Sequence, residues 1–356
     1  MDDTGRRKSD HIRICLEEEV EVGRDPGWAD YRFDHQALPE IKLDEVNPAT
    51  ELLGRRLAWP FLTGAMTGGT KQAWQLNALL AVGAEACGCG MVLGSLRPAL
   101  EDASALASFD VRHVAPCLPL LLGNIGAAQL AVAGIETRIL GLCLRLRLDG
   151  IIVHLNPLQE ALQPEGDRDW RGLRSRIAEL RIAMAREGMA LGIKEVGSGI
   201  SRSTARWIGG LRPDLVETAG LGGTSWARIE GLRSPDDTGS RVARTFETWG
   251  HPSVESLASL RKAAPGIPAV ASGGLRTGLD LAIALRLGAS AGAMALPLLR
   301  AAVASEAALA SLMNALRKEL CLAMFVTGSR TLGDLRRAPI RGPDGKRIPF
   351  PRGFAA

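Results

Sequence analysis

From about residue 56 the chain alternates short apolar runs with longer amphipathic stretches. The apolar runs fall at 59–63, 90–94, 118–123, 150–154, 191–195, 215–219, 269–272 and 292–296. Short, apolar and bounded by turn residues, they predict strands buried on both faces. Between them, segments 71–85, 135–148, 169–187, 279–287 and 301–320 carry apolar residues at helical spacing. Eight strands alternating with helices over roughly 250 residues form the pattern of an α/β protein built as a (β/α)8 TIM barrel. A doubly wound open sheet is the competing arrangement. It usually has fewer strands and a nucleotide-binding GxGxxG after the first, and none follows here.

Three regions depart from this alternation. Residues 1–55 are rich in charge, including Glu17-Glu18-Glu19, and predict an N-terminal extension packed on a barrel at 56–338. Residues 220–250, with their Gly, Ser and Asp, predict a long connection of the kind that covers an active site. The Pro-, Gly- and Arg-rich tail at 339–356 is expected to be loosely ordered.

Composition acts mainly by exclusion. The 43 basic and 39 acidic residues leave a net charge of +4, and the basic residues are scattered. With one Tyr and seven Phe there are few platforms for stacking bases, so no nucleic-acid partner is expected. The apolar stretch 291–299 is too short to span a bilayer, and the acidic N-terminus lacks the apolar core of a signal peptide. Six cysteines, at 15, 87, 89, 117, 143 and 321, lack metal-binding spacing and read as reduced core thiols of a cytoplasmic protein.

Candidate chemistry gathers at the carboxyl ends of the strands. The run 150–153 leads into His154-Leu155-Asn156-Pro157-Leu158-Gln159-Glu160. Pro157 cannot continue a central strand, so these polar residues leave the sheet together, where catalytic groups of parallel α/β proteins sit. Glu160 suits Mg2+ as one carboxylate completed by phosphates and water, or else a helix N-terminal carboxylate favoured by the macrodipole. Ser272-Gly273-Gly274-Leu275-Arg276 and the turn around Ala295-Leu296 are two consecutive glycine-rich or small-residue strand ends. They suit a phosphate held by backbone N–H groups, or two tight turns without a ligand.

Lys194 is one of seven lysines against 36 arginines, and it sits within an apolar strand. A buried ammonium needs an anionic neighbour: Glu195 or another carboxylate, or a reduced flavin. A Schiff-base lysine is the remaining reading. Thr63-Gly64-Ala65-Met66-Thr67-Gly68-Gly69, Ser95-Leu96-Arg97, Asn124-Ile125-Gly126 and Gly222-Gly223-Thr224-Ser225-Trp226 add small or hydrogen-bonding residues at other strand ends. Each alone reads as a turn or cap. Arg7-Lys8-Ser9-Asp10-His11 alone reads as a solvated basic patch, with diphosphate binding as the alternative.

Together these motifs resemble the type 2, flavin-dependent isopentenyl-diphosphate isomerases. The resemblance runs from Arg7 to about Leu335, and HLNPLQE followed by Gln163-Pro164-Glu165-Gly166-Asp167 is its most specific carrier. It implies a barrel that binds FMN, requires Mg2+ and a flavin reduced by NADPH, and serves isoprenoid biosynthesis. The reaction would interconvert isopentenyl and dimethylallyl diphosphate without net redox change. Catalysis would fall to Gln159, His154 and Lys194. Substrate would meet Arg7, Lys8, His11, Ser95, Arg97, Asn156 and Gln159, with Glu160 on the metal. Ala65, Met66, Thr67, Ser95, Asn124, Lys194, Thr224, Gly274, Leu275, Arg276, Ala295 and Leu296 would line the FMN site. The resemblance also implies a homo-oligomer, a tetramer or octamer.

Three departures stand out. Ser9-Asp10 fills the middle of a motif that usually reads RKDEH; Leu96 replaces a usual Gln; Glu217 and Ala219 stand where Asp and, in some members, Ser are common. Two alternatives remain. A barrel resembling the 2-hydroxy-acid oxidases or dehydrogenases needs a histidine beside Arg276, and the sequence offers no clear candidate. A non-catalytic FMN-binding barrel would have no need of Gln159, Glu160, His154 and Lys194.

Overall fold

A computed structural model describes residues 3–21 and 23–350. Eight parallel strands close on themselves: β1 (Phe61–Thr63), β2 (Gly90–Ser95), β3 (Leu121–Gly126), β4 (Gly150–Leu155), β5 (Ala190–Glu195), β6 (Leu215–Glu217), β7 (Ala269–Ala271) and β8 (Ala291–Met294). Closure comes from β8 pairing with β1. The eight expected strands are all present, and helices pack around them as in a (β/α)8 barrel.

Side chains alternate across each strand, and that alternation aims the site. Leu122 and Ile152 point into the barrel with Leu62, Val92, Leu215 and Val270, whereas Ile151 and Val153 face the surrounding helices. Two residues further on, Asn124 and His154 share the inward face. Register then sets Ser95 beside Asn124, His154 beside Lys194, and Lys194 beside Glu217. A polar layer thus caps an apolar barrel interior at its carboxyl end. The other end is closed by the hairpin Thr50–Leu52/Arg55–Leu57, whose Leu52 and Leu57 join the interior cluster. Its two-residue turn places Leu53 and Gly54 at positive φ, as a type I′ turn requires.

Capping residues explain where the elements differ from the pattern. The stretch 301–320 is not one helix but parts of two, Leu296–Ala304 and Glu306–Val326. Ser305 between them is extended, and its hydroxyl accepts the Ala308 N–H. The connection 220–250 contains two helices, Trp226–Arg233 and Asp237–Phe246, capped by Ser225 and Asp236. Its polar residues are caps rather than open loop.

The tail, expected to be loose, is held as far as Ile348. Ile340–Arg341 pairs with Arg32–Phe33, and buried Arg286 donates to the carbonyls of Ala338 and Ile348 at 2.6 and 2.8 Å. All six cysteines are free, but only Cys15, Cys89 and Cys143 are buried, and Cys117 is exposed. No described helix is long and apolar enough to cross a membrane. The N-terminal helix Asp3–Glu17 lies over the barrel mouth: Ile12 and Cys15 pack with Ile229 and Leu299, and the His11 ring meets Trp226 edge-on at 5.1 Å.

Candidate active site

Two cavities open at the carboxyl ends of the strands, separated by a shared wall of Ala65, Met66, Lys194, Val196 and Trp226. The first gathers Arg7, Lys8 and His11 from the N-terminal helix over Ser95 and Arg97 after β2, Asn124 in β3, His154, Asn156, Gln159 and Glu160 at the end of β4, and Lys194. Every residue expected at the substrate lines this one space. Arg97 is held by Glu101 at 2.7 Å and Asp167 at 3.1 Å, while Arg7 lies 3.9 Å from Glu165. Burial, then the charges of Arg7 and Arg97, bring the Lys8 ammonium down to about 7. Two guanidiniums and an amine that burial and their charges push toward neutrality form a receptor for a polyanion.

Gln159 is fixed at both ends of its amide. Its Nε2 donates to Glu230 Oε1 at 3.0 Å, and its Oε1 accepts from Asn156 Nδ2 at 3.1 Å. Asn156 also donates to Glu160 Oε1 at 3.0 Å, and Glu160 Oε2 accepts from Gln163 Nε2 at 2.7 Å and Asp167 N at 2.8 Å. The Asn156 Oδ1 is buried without a partner. Gly166 permits this packing, because a Cβ there would lie 1.8 Å from the Glu160 carbonyl oxygen.

Glu230 was absent from the sequence-derived site, yet it organises it. This carboxylate is 1% exposed, accepts from His11 Nε2 at 3.0 Å and pairs with Arg233 at 2.5 Å. Burial alone would raise its pKa, but the His11 hydrogen bond, the Arg233 charge and the Gln159 amide bring it to about 2. The available signal was the spacing of Trp226, Ile229, Glu230 and Arg233, which sets a glutamate beside apolar positions of a short helix.

His154 is buried, and its Nδ1 donates to Asn124 Oδ1 at 2.7 Å. Burial, then the Lys194 charge, hold it well below the ordinary histidine range, so it is neutral with Nε2 as an acceptor. Lys194 donates to the Glu195 carbonyl at 2.6 Å and lies 4.0 Å from Glu217 Oε1. Of the carboxylates open to it from the sequence, that of Glu195 points to the opposite face of the strand. There its Oε2 accepts the backbone N–H groups of Val196, Gly197, Ser198 and Gly199. Glu217 Oε1 accepts from Ser272 at 2.8 Å, while its Oε2 is buried and unpartnered. Lys194 is therefore only loosely matched by protein charge.

The second cavity is lined by Ala65, Met66, Lys194, Thr224, Gly274, Leu275, Arg276, Ala295 and Leu296. Of the other residues expected there, Ser95 and Asn124 line the first cavity instead. Thr67 lines neither cavity: it is buried, its carbonyl accepts from Asn77 at 3.1 Å, and its Oγ1 has no partner. Gly273 and Gly274 have φ of 94° and 74°, and a Cβ on Gly274 would come 2.4 Å from the Gly222 carbonyl oxygen. Only glycine fits that approach. Among the described residues, the N–H groups of Gly274 and Leu275 meet no backbone carbonyl. Gly274 and Leu275 line the same cavity as the start of helix Leu296–Ala304, whose first N–H groups also lack helical partners. These donors, a small-residue wall and a loosely matched ammonium fit the phosphate and ring of a flavin mononucleotide.

Comparison with known proteins now decides the family. Residues 243–342 match the family model of FMN-dependent dehydrogenases. An isopentenyl-diphosphate delta-isomerase from Nostoc sp. is 42% identical over 342 residues, covering 94% of this chain and 95% of that one. That from Rickettsia bellii is 39% identical over 336 residues, covering 94% and 97%. The chain belongs to the isopentenyl-diphosphate delta-isomerase family. Its barrel is shared more widely. A mandelate oxidase carrying an FMN adduct superposes with a TM-score of 0.63 at 16% identity, over 96% of this chain and 100% of that one. A lactate oxidase from Pediococcus acidilactici gives 0.63 at 14% identity, over 95% and 87%. An oxidase reading requires a histidine beside Arg276, and none lines that cavity among the described residues.

Proposed function

We propose that this isomerase interconverts isopentenyl and dimethylallyl diphosphate at a reduced FMN, with Mg2+ on the diphosphate. The observation that carries the reading is the junction of the two cavities. Arg7, Lys8 and Arg97 converge on one side of the shared wall, the flavin-type cradle lies on the other, and Gln159 is clamped between Glu230 and Asn156 on the cationic side.

When bound and reduced, FMN supplies the acid and base that exchange the allylic proton. The chain supplies the rest. The N-terminal extension brings Arg7, Lys8 and His11 over the barrel mouth, so the diphosphate is gripped from both extension and barrel. Glu160 offers the carboxylate for Mg2+, with substrate oxygens and water completing its shell. Among the described residues no cluster of three or more His, Cys, Asp or Glu forms a metal cage of its own. Neutral His154, held by Asn124, presents Nε2 toward the substrate, and the Gln159 amide faces the alkene in a fixed orientation. Lys194 would hold the ring side of the flavin and offset negative charge there when it is reduced. Met66 and Trp226 wall the space against water.

NADPH enters this reading as the flavin's reductant. A homo-oligomer in the cytoplasm belongs to it as well; Trp249, 62% exposed, offers an apolar contact for another copy, and six free thiols suit a reducing compartment. Incubating the reduced holoenzyme with substrate in heavy water tests the chemistry. Deuterium entering the allylic positions of both isomers supports proton exchange, and isomerisation without label contradicts it.

A further inference from the structure

The segment that follows the N-terminal helix crosses the end of the second cavity like a strap. The Ser225 N–H donates to the Val20 carbonyl at 2.9 Å, and Glu21 forms an antiparallel bridge with Thr224. Further along, Pro26 presses on the same turns: a Cβ on Gly222 would lie 2.4 Å from Pro26 Cβ, and one on Gly274 would lie 2.8 Å from it. The Glu21 carboxylate lines the cavity and is ion-paired with Arg276, a residue 255 positions away. The Arg276 guanidinium also donates to the Leu275 carbonyl at 2.7 Å, and its backbone N–H to Asp280 at 3.0 Å. One carboxylate thus rests on the cation of a turn whose Gly274 and Leu275 N–H groups remain free of backbone partners.

We propose that Glu21 is a stand-in anion for the flavin phosphate, and that its competition for Arg276 sets how strongly the site prefers a phosphorylated flavin. The inference rests on reading this cavity as the FMN site. A phosphate brings close to two negative charges to a guanidinium that Glu21 already neutralises, and like charges a few ångströms apart repel. Phosphate arrival therefore turns Glu21 away from Arg276, and the strap, bridged to Thr224 at that same residue, shifts with it. An unphosphorylated flavin has no such exchange to make.

The test is a titration of the flavin-free full chain with FMN and, separately, with riboflavin, followed by quenching of flavin fluorescence. Replacing Glu21→Gln is expected to tighten FMN about tenfold while leaving riboflavin unchanged, the scale of one removed like-charge contact. Glu21→Asp, which keeps the charge, is expected to stay near the wild-type ratio of the two flavins. Glu21→Ala serves as a second neutral variant should the Gln chain fold poorly. Equal FMN affinity in the wild-type and neutral variants overturns the proposal, as does weaker FMN binding in both, which would make Glu21 a support for Arg276. If wild type binds riboflavin and FMN equally, Arg276 does not read the phosphate and the proposal falls while a flavin site stands. Failure of either flavin to bind any chain refutes the cofactor reading itself, and this proposal with it.

Discussion

The amide nitrogen of Gln159 lies 3.0 Å from Oε1 of Glu230, the same oxygen that His11 Nε2 reaches at 3.0 Å. One carboxylate on the helix after β6 therefore ties the N-terminal extension to the helix after β4. An N–H donated to Glu230 fixes the amide's direction, which leaves the Gln159 carbonyl on the Asn156 side. A glutamine cannot titrate usefully, so orientation is what it contributes.

Replacing Glu230→Gln removes the charge while keeping the side chain's shape. A charged hydrogen bond is worth about 1.5–3 kcal/mol, so turnover is expected to fall about 10- to 100-fold. Flavin affinity is expected to hold, because Glu230 lies outside the second cavity. Steady-state rates and an FMN titration on the same preparations check both halves. An unchanged kcat would remove Glu230 from the account.

Gln159→Asn shortens the reach of the amide, and Gln159→Glu places a second carboxylate 3.0 Å from Glu230. Both variants are expected to keep FMN and lose isomerisation by about 100-fold or more, the upper end of a lost positioning contact. Product analysis under anaerobic conditions is the readout, and near-normal turnover by either variant is incompatible with the role given to Gln159.

Glu160→Gln is expected to raise the Mg2+ concentration needed for half-maximal activity by about tenfold or more, since the carboxylate charge is the protein's main offer to a hard cation. A metal titration at saturating substrate measures it. An identical curve would place the ion elsewhere.

Lys8 gives a pH signature. Its ammonium is brought down to about 7 by burial and by Arg7 and Arg97, from an ordinary value of 10.5. Between those values the free enzyme holds Lys8 mostly neutral, whereas the unfolded chain holds it charged, so this group's contribution to stability rises with pH there. A bound diphosphate reverses the repulsion and restores the charge. Binding near pH 8.5 is therefore expected to take up close to one proton, seen as a buffer-dependent heat in calorimetry. Lys8→Met is expected to abolish that uptake and weaken binding. Proton release on binding would contradict the sign.

Much of this was legible in the chain. The eight strands showed themselves because barrel strands are buried on both faces, so their apolar runs are unbroken. The Pro157 break after His154 marked the site because a proline ends a central strand. The rest depended on relations that periodicity does not carry. Glu230 lay in a stretch whose Ser225 and Asp236 read as loop residues until they proved to be helix caps. Lys194 and Glu195 are adjacent in sequence but face opposite sides of β5, so adjacency suggested a pair that strand geometry forbids. The Glu21–Arg276 pair joins distant segments, and nothing local to either residue signals it.

The most direct measurement is anaerobic turnover of isopentenyl diphosphate with FMN, Mg2+ and NADPH, with flavin absorbance followed throughout. Dimethylallyl diphosphate is expected to accumulate through many turnovers while the flavin stays reduced and NADPH is consumed only once per site. Bound, reduced flavin without product, or NADPH consumed in step with product, would contradict it.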